Sequence, residues 1–399
     1  MLQDILSGKY LRQMKRSSIL VLFMGILSNN AMTAQNKPFN SIQWKIAAVL
    51  PATSGHAKAF GLAGAVCGIH QNALIIAGGA NFPDAMPWLG GKKKYCHEVY
   101  VYEKINNQAT LFSRTFTLPN PIAYAASCST PKGIVYAGGE NEQGITDKVV
   151  MLQWDPVVKN LVCKDLPSLP VPVTNAVATY YENSLYLAGG ENELSSSDHF
   201  YKLDMKNTHL GWQPLPSIPK PVSHAVLAVQ SDEKKSSIYL LGGRNKNTNG
   251  ISDFHSSVYA FDVKEKIWVE KKSMPYNLCA GTGIAAGIGN ILMFGGDKGE
   301  TFYQVEKLIA AIATEKSIDK KQILTEQKSK LQSSHPGFST EILKYNSTND
   351  EWTIAGNIPF AVPVTTTALQ WGDWIILPSG EIKAGVRTAQ ILSAQLYLK

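Results

Sequence analysis

A carboxylate and a guanidinium stand six residues apart near the end of the chain, in Gly380-Glu381-Ile382-Lys383-Ala384-Gly385-Val386-Arg387-Thr388. Glycines at 380 and 385 permit a tight, exposed loop between them. In such a loop Arg387 could hold a substrate carboxylate through two parallel hydrogen bonds. Glu381 could move a proton on the same substrate. A structural ion pair that closes the loop fits the spacing equally well. A second set of polar residues recurs along the chain: Asn81, Glu140-Asn141, Glu191-Asn192, Arg244-Asn245 and Asp297. Turn and capping chemistry accounts for any one of them taken singly. Gathered into a ring, they would suit a hydroxylated, anionic ligand. Arg244, Asn245, Asn81, Glu140 and Glu191 are therefore candidate substrate-binding residues.

What would gather them is a repeat. Each set follows an apolar run that ends in two glycines: Leu74 to Gly79, Val135 to Gly139, Leu185 to Gly190, Tyr239 to Gly243 and Ile291 to Gly296. Successive first glycines lie 60, 51, 53 and 53 residues apart. At the sixth occurrence, Trp374-Ile375-Ile376-Leu377-Pro378-Ser379-Gly380, the pair has become Ser-Gly, and Glu381 follows at once. A second strand-like run follows the turn in each repeat, as in Val99-Tyr100-Val101-Tyr102 and Val258-Tyr259-Ala260-Phe261. In several repeats a Trp (Trp212, Trp268, Trp352) then opens another strand, and a Pro-rich segment leads onward. A unit of this length, with paired glycines and late aromatics, reads as a kelch repeat of four strands. The expected fold is all-β: a six-bladed kelch-type β-propeller. The last repeat lacks a Trp strand, and Ser41-Ile42-Gln43-Trp44-Lys45 supplies a spare one. Trp44 should complete the last blade and remove the open edge.

One segment interrupts the pattern. Residues 299–338 carry Val305, Leu308, Ile309 and Ile312 at helical spacing, with Ile323, Leu324 and Leu331 further on. This helical insertion in the fifth repeat should lie over one mouth of the propeller, as a lid or as a passive decoration.

Composition narrows the function classes. The net charge is +7, and residues 1–34 hold Lys9, Arg12, Lys15 and Arg16 against Asp4. The body is therefore only mildly basic, and no basic patch with interleaved aromatics points to nucleic acid. Lys92-Lys93-Lys94 reads as a solvated loop in preference to an anion site. Residues 1–34 read as an export signal, with Lys15-Arg16, an apolar run from Ile19 to Leu27, and a small-residue stretch ending at Ala34. The remainder, 35–399, is the propeller. The apolar run is too short to span a membrane. Five cysteines (Cys67, Cys96, Cys128, Cys163, Cys279) lack zinc-type spacing. Cys67, Cys128 and Cys163 lie in or beside apolar runs and read most simply as buried thiols; an oxidising compartment would allow a disulfide, with the odd count leaving at least one thiol free.

From about residue 41 to residue 399 the chain resembles the bacterial N-acetylneuraminate epimerases, the sialic acid mutarotases. The family motif runs Gly-Glu-x-Lys-Pro-Gly-x-Arg-Thr, and residues 380–388 match it except for Ala384 at the Pro position. The insertion in the fifth repeat is also similar. The blade containing Ala77-Gly78-Gly79-Ala80-Asn81-Phe82 comes first here and late in better-known members, so the chain resembles a cyclically permuted branch. The resemblance implies catalytic roles for Glu381, as proton acceptor, and for Arg387. It implies acid–base ring opening and closing that interconverts the α and β anomers of N-acetylneuraminate. Neither a metal nor an organic cofactor is implied. The expected partner is this small sugar acid. No nucleic acid and, once the leader is removed, no membrane insertion is expected, and a homodimer is left open. The expected location is the periplasm of a Gram-negative-type cell. The alternative is a non-catalytic kelch propeller that binds sialylated or other glycans. A sialidase would need repeated Ser-x-Asp-x-Gly-x-x-Trp turns, which the sequence lacks. A kelch-type copper oxidase would need clustered histidines, and the eight present are dispersed.

Overall fold

The apolar run before each glycine pair is too short for a helix and rich in aliphatic and β-branched residues, which suits a strand buried on both faces. In a computed structural model, which describes residues 39–52, 55–232 and 234–398, each run is the second strand of an antiparallel sheet, four-stranded in five blades and extended in the first by a short fifth strand, Phe116–Thr117. Ala73–Ala77, Gly133–Ala137 and Ser184–Ala188 are buried at every position. Six such sheets form the blades of a six-bladed β-propeller. Their innermost strands are Val66–His70, Ala126–Thr130, Val177–Tyr181, Val226–Ser231, Thr282–Ala285 and Leu369–Trp371. The expected leader lies outside the described residues. No helix among the described residues is long and apolar enough to cross a membrane.

The core lies between blades. Val66, Ile75 and Val99 of blade 1 pack with Tyr136, Val150 and Leu152 of blade 2. Tyr186 and Phe200 of blade 3 pack with Leu240 and Phe261 of blade 4. The late tryptophans tie each blade to the linker before it. Trp212 Nε1 donates to the Pro167 carbonyl at 2.9 Å, Trp268 Nε1 to Pro216 at 3.1 Å and Trp352 Nε1 to Lys272 at 2.9 Å. The strand Phe39–Val49 forms the outer edge of blade 6, beside Val386–Leu398. Trp44 meets Phe294 of blade 5 edge-on at 5.6 Å, although its Nε1 has no hydrogen-bond partner. All five cysteines are free thiols; four are buried and Cys163 is half-buried.

The glycine pairs are the contacts between blades. Gly78 and Gly79 hold φ of 62° and 89°, which side chains disfavour. A Cβ on Gly78 would stand 2.4 Å from the Ile122 carbonyl oxygen of the next blade, and Gly79 N–H donates to that oxygen at 2.8 Å. Blade 6 makes the same junction differently. Ser379 takes the left-handed conformation at φ 53° and is fully buried. Its Oγ accepts from Leu62 N at 2.8 Å and donates to the Thr388 carbonyl at 2.8 Å. The Ser-Gly pair is thus a side-chain latch between the last blade and the first.

A further ring crosses the centre. Gly64, Tyr124, Asn175, His224, Ala280 and Thr365 occupy the same place in successive blades, all with φ between 51° and 64°. Each N–H donates to the carbonyl of the preceding member at 2.8–3.1 Å, and Gly64 N closes the circle on Thr365 O. This belt of backbone hydrogen bonds forms the floor of one mouth, and the inner strands line the channel beside it.

The insertion consists of two helices, α1 (Glu300–Thr314) and α2 (Ile318–Ser333). Helix α1 is fixed to the blade 4 hairpin. Glu306 accepts from Ser252 N at 2.8 Å and Ser252 Oγ at 2.7 Å, and Tyr303 Oη accepts from Phe254 N at 2.9 Å. Helix α2 touches the short turn Pro87–Leu89 of blade 1. These contacts place the insertion beside the mouth, against blades 4 and 1.

Candidate functional site

The residue after each glycine pair pairs with the residue before a floor member, so the topology puts Ala80, Glu140, Glu191, Arg244, Asp297 and Glu381 at equivalent places around the floor. Four of the candidates spread along the sequence (Glu140, Glu191, Arg244 and Glu381) therefore share one circle. Their surroundings differ.

Glu381 and Arg387 face each other across the two strands of a hairpin whose tight turn contains Gly385, at φ 81°. Arg387 Nη1 lies 3.7 Å from Glu381 Oε1, with side-chain exposures of 6% and 17%. Glu381 Oε1 also accepts from Gly385 N, which fixes the carboxylate. The guanidinium lies 4.4 Å over the Phe82 ring. Its Nε and Nη1 are buried and have no hydrogen-bond partner. A buried, charged donor left unpaired is costly, and an incoming carboxylate would supply a missing acceptor. The hairpin tip is held in place from blade 1: a Cβ on Gly385 would stand 2.5 Å from Pro87 Cγ. Ala384, at the motif's Pro position, supplies no atom to the site.

Glu191 and Arg244 also form a pair, and theirs is complete. Arg244 Nη2 donates to both Glu191 oxygens at 3.0 Å, and Nη1 donates to Ser252 Oγ at 2.7 Å. Glu306 and the Phe302 ring stand on the remaining sides. Glu191 accepts further from Ser223 Oγ at 2.8 Å and Asn175 Nδ2 at 3.2 Å. Burial would raise the Glu191 carboxyl, but His224, Arg244 and Ser223 hold it below its ordinary value. His224, on the floor, is pushed down to about 4, chiefly by burial.

The other candidates fall into place around these pairs. Asn81 is buried and donates to Cys96 Sγ at 3.7 Å. Asn245 donates to Asn247 within its own hairpin at 2.7 Å. Glu140 is taken up by Lys93, which donates to it at 3.0 Å, and by the Tyr95 hydroxyl at 2.7 Å. Lys92, Lys93 and Lys94 are exposed, as expected of a solvated loop, and Lys93 pairs in addition with Glu140. Its ammonium folds over the Tyr124 ring at 4.8 Å and is committed to the mouth.

Two further residues that sequence reasoning passed over, Tyr124 and His335, belong here beside Asp297 of the polar set. Tyr124 lies on the floor with Lys93, Arg387 and Glu381 acting on its phenol. His335, at the end of the insertion, is buried and accepts from Gly337 N through Nδ1 at 3.0 Å, which leaves the proton of its neutral form on Nε2. Burial lowers its pKa, while the Asp297 and Glu381 carboxylates pull it up. Asp297, accepting from Gly299 N at 2.7 Å, is itself raised by burial. One signal was available for Tyr124: a floor residue precedes the residue after the glycine pair by 16 positions in Tyr124–Glu140, Asn175–Glu191 and Thr365–Glu381. Among the described residues no cluster of three or more His, Cys, Asp or Glu side chains is placed to hold a metal.

Comparison with known proteins gives this geometry a context. The chain is 28% identical over 235 residues to the N-acetylneuraminate epimerase of Vibrio vulnificus strain YJ016, covering 56% of this chain and 58% of that one. It is 25% identical over 225 residues to the enzyme of that name from Haemophilus influenzae strain 86-028NP, covering 56% and 57%. The Salmonella typhimurium strain LT2 protein of the same name matches at 25% over 231 residues, covering 57% and 58%. The matched stretch spans somewhat over half the length of these curated relatives. A family model described as N-acetylneuraminate epimerase matches residues 24–161 and 166–399, and the chain belongs to that family.

Proposed function

We propose that this protein interconverts the α and β anomers of N-acetylneuraminate. The observation that carries the reading is the Arg387 guanidinium, buried beside Glu381 with two N–H donors unpaired. The sugar bears its carboxylate on the anomeric carbon. Held by Arg387, that carboxylate brings the anomeric hydroxyl next to the Glu381 carboxylate. Glu381 takes the hydroxyl proton as the bond from the anomeric carbon to the ring oxygen breaks and the ring oxygen is protonated. The open keto form rotates and recloses on its other face, and Glu381 returns its proton. Positioned acid–base help of this kind contributes about 10²–10⁴ in rate. Gly385 N–H on Glu381 Oε1 keeps the carboxylate oriented. The relatives' names carry the choice of sugar.

Exchange spectroscopy by NMR on N-acetylneuraminate measures the reaction directly. The wild type should exchange the anomers faster than buffer, and Glu381→Ala should not. Equal rates for wild type, variant and buffer would remove the mutarotase reading. Saturable binding with no exchange would favour glycan capture. We also propose that the protein is exported, from the basic and apolar segments of residues 1–34. Removal of the leader from cell-fractionated protein, read by mass spectrometry, tests it.

A further inference from the structure

The reaction proposed above requires two proton-handling groups, and the hairpin supplies one. Tyr124 stands where the second is required. Its backbone is locked into the floor: φ is 58°, its N–H donates to Gly64 O at 2.8 Å, and its carbonyl accepts from Asn175 N at 2.9 Å. Its ring lies over Gly64, where an added Cβ would stand 2.4 Å from Tyr124 Cδ1. Gly64 is the floor member of blade 1, and its lack of a side chain lets a residue of blade 2 lean across toward blade 6. Lys93 Nζ lies 4.8 Å from the ring centroid. The charged groups acting on the phenol are Lys93, Arg387 and Glu381, and the Arg387 side chain bonds to it.

We propose that Tyr124 donates the proton taken up by the ring oxygen while Glu381 accepts the one leaving the anomeric hydroxyl. The inference rests on the mutarotase reading. Ring oxygen and hydroxyl are both bonded to the anomeric carbon, whose carboxylate Arg387 holds. A donor touching Arg387 therefore reaches the oxygen that Glu381 does not. In the opening step the hydroxyl O–H breaks to Glu381, the C–O single bond becomes C=O, the bond to the ring oxygen breaks, and that oxygen takes the Tyr124 proton. Closure reverses each transfer on the other face, with no net proton change. Lys93 and Arg387 stabilise the transient phenolate by charge. Burial keeps the phenol protonated at neutral pH against the pull of those two cations.

The test compares full-length wild type, Tyr124→Phe and Glu381→Ala by exchange NMR at saturating N-acetylneuraminate, with affinity measured by calorimetry. Tyr124→Phe should lose about 10²-fold in rate, the lower end of what a positioned acid contributes, with its affinity unchanged. A wild-type rate in Tyr124→Phe alongside an inactive Glu381→Ala would overturn the role of Tyr124 and leave the reading beneath it standing. Loss of affinity in step with rate would reduce Tyr124 to a structural seat. A wild type no faster than buffer would remove both. A second variant carries 3-fluorotyrosine at 124, which keeps the shape and holds its proton less tightly. The alkaline limb of its pH–rate profile should move to lower pH, and an unmoved limb overturns the proposal.

Discussion

Glu191–Arg244 and Glu381–Arg387 occupy the same mouth of the propeller, and each glutamate follows a glycine-type pair at the equivalent place in its blade. In the first pair the guanidinium spends its donors on Glu191 and Ser252, with Glu306 and Phe302 around it. The result ties blade 3, blade 4 and helix α1 together. In the second pair the ion pair is stretched to 3.7 Å, Phe82 covers one face of the guanidinium, and Nε and Nη1 have no hydrogen-bond partner. Residue type does not separate a structural pair from a binding pair here; the hydrogen-bond account does. A saturated arginine has little left to offer a ligand, whereas an unsaturated buried one gains by accepting a carboxylate.

Substitutions can break this contrast. Glu381→Ala should have the largest effect, taking catalysed anomer exchange down by about 10²–10⁴-fold. A variant that exchanged at the wild-type rate would move the chemistry elsewhere in the mouth. Arg244→Met should act on stability instead. It leaves Glu191 buried without its partner, at a cost of about 3–5 kcal/mol, read by chemical denaturation. An unaltered midpoint would mean that the pair is not structural. Ser379→Ala is smaller. It strips the buried Leu62 N–H of its acceptor and should cost about 1–3 kcal/mol, with exchange retained.

The last prediction concerns pH. His224 titrates at about 4 in the fold, against its ordinary 6.5, because burial disfavours its charged form. A depressed folded pKa contributes stability that is present above 6.5 and lost as pH falls toward 4. Denaturation followed across that window should show the wild type losing stability more steeply than His224→Gln. Parallel curves would mean that His224 is not buried in its neutral form.

The parts of this molecule that could be read from sequence are those fixed by local backbone chemistry. Paired glycines are required where φ is positive and an added Cβ would stand 2.4 Å from a neighbouring carbonyl oxygen, as at Gly78, so the blade repeat was visible. The outer tryptophans and the Pro-rich linkers they bond to recur for the same reason. The reason for the altered pair at Ser379 was not visible, because its hydroxyl serves Leu62, far away in sequence, and ties the last blade to the first. The pairing of Lys93 with Glu140 was not visible in the sequence because the two residues belong to different blades. Tyr124 was passed over because nothing in its own segment announces a left-handed backbone, nor that Gly64 leaves room for its ring. Glu381 and Arg387 were legible as a pair, but that the arginine keeps Nε and Nη1 without hydrogen-bond partners depends on Phe82 and Tyr124, which come from other blades.

The contrast between the two arginines is tested most directly by calorimetric titration of N-acetylneuraminate into wild type, Arg387→Met and Arg244→Met under one set of conditions. The sugar should bind the wild type and Arg244→Met with similar affinity. Arg387→Met should lose about 1.5–3 kcal/mol, the worth of hydrogen bonds to a charged group. Binding that survives in Arg387→Met and is lost in Arg244→Met would contradict the account and place the ligand on the pair assigned here to structure.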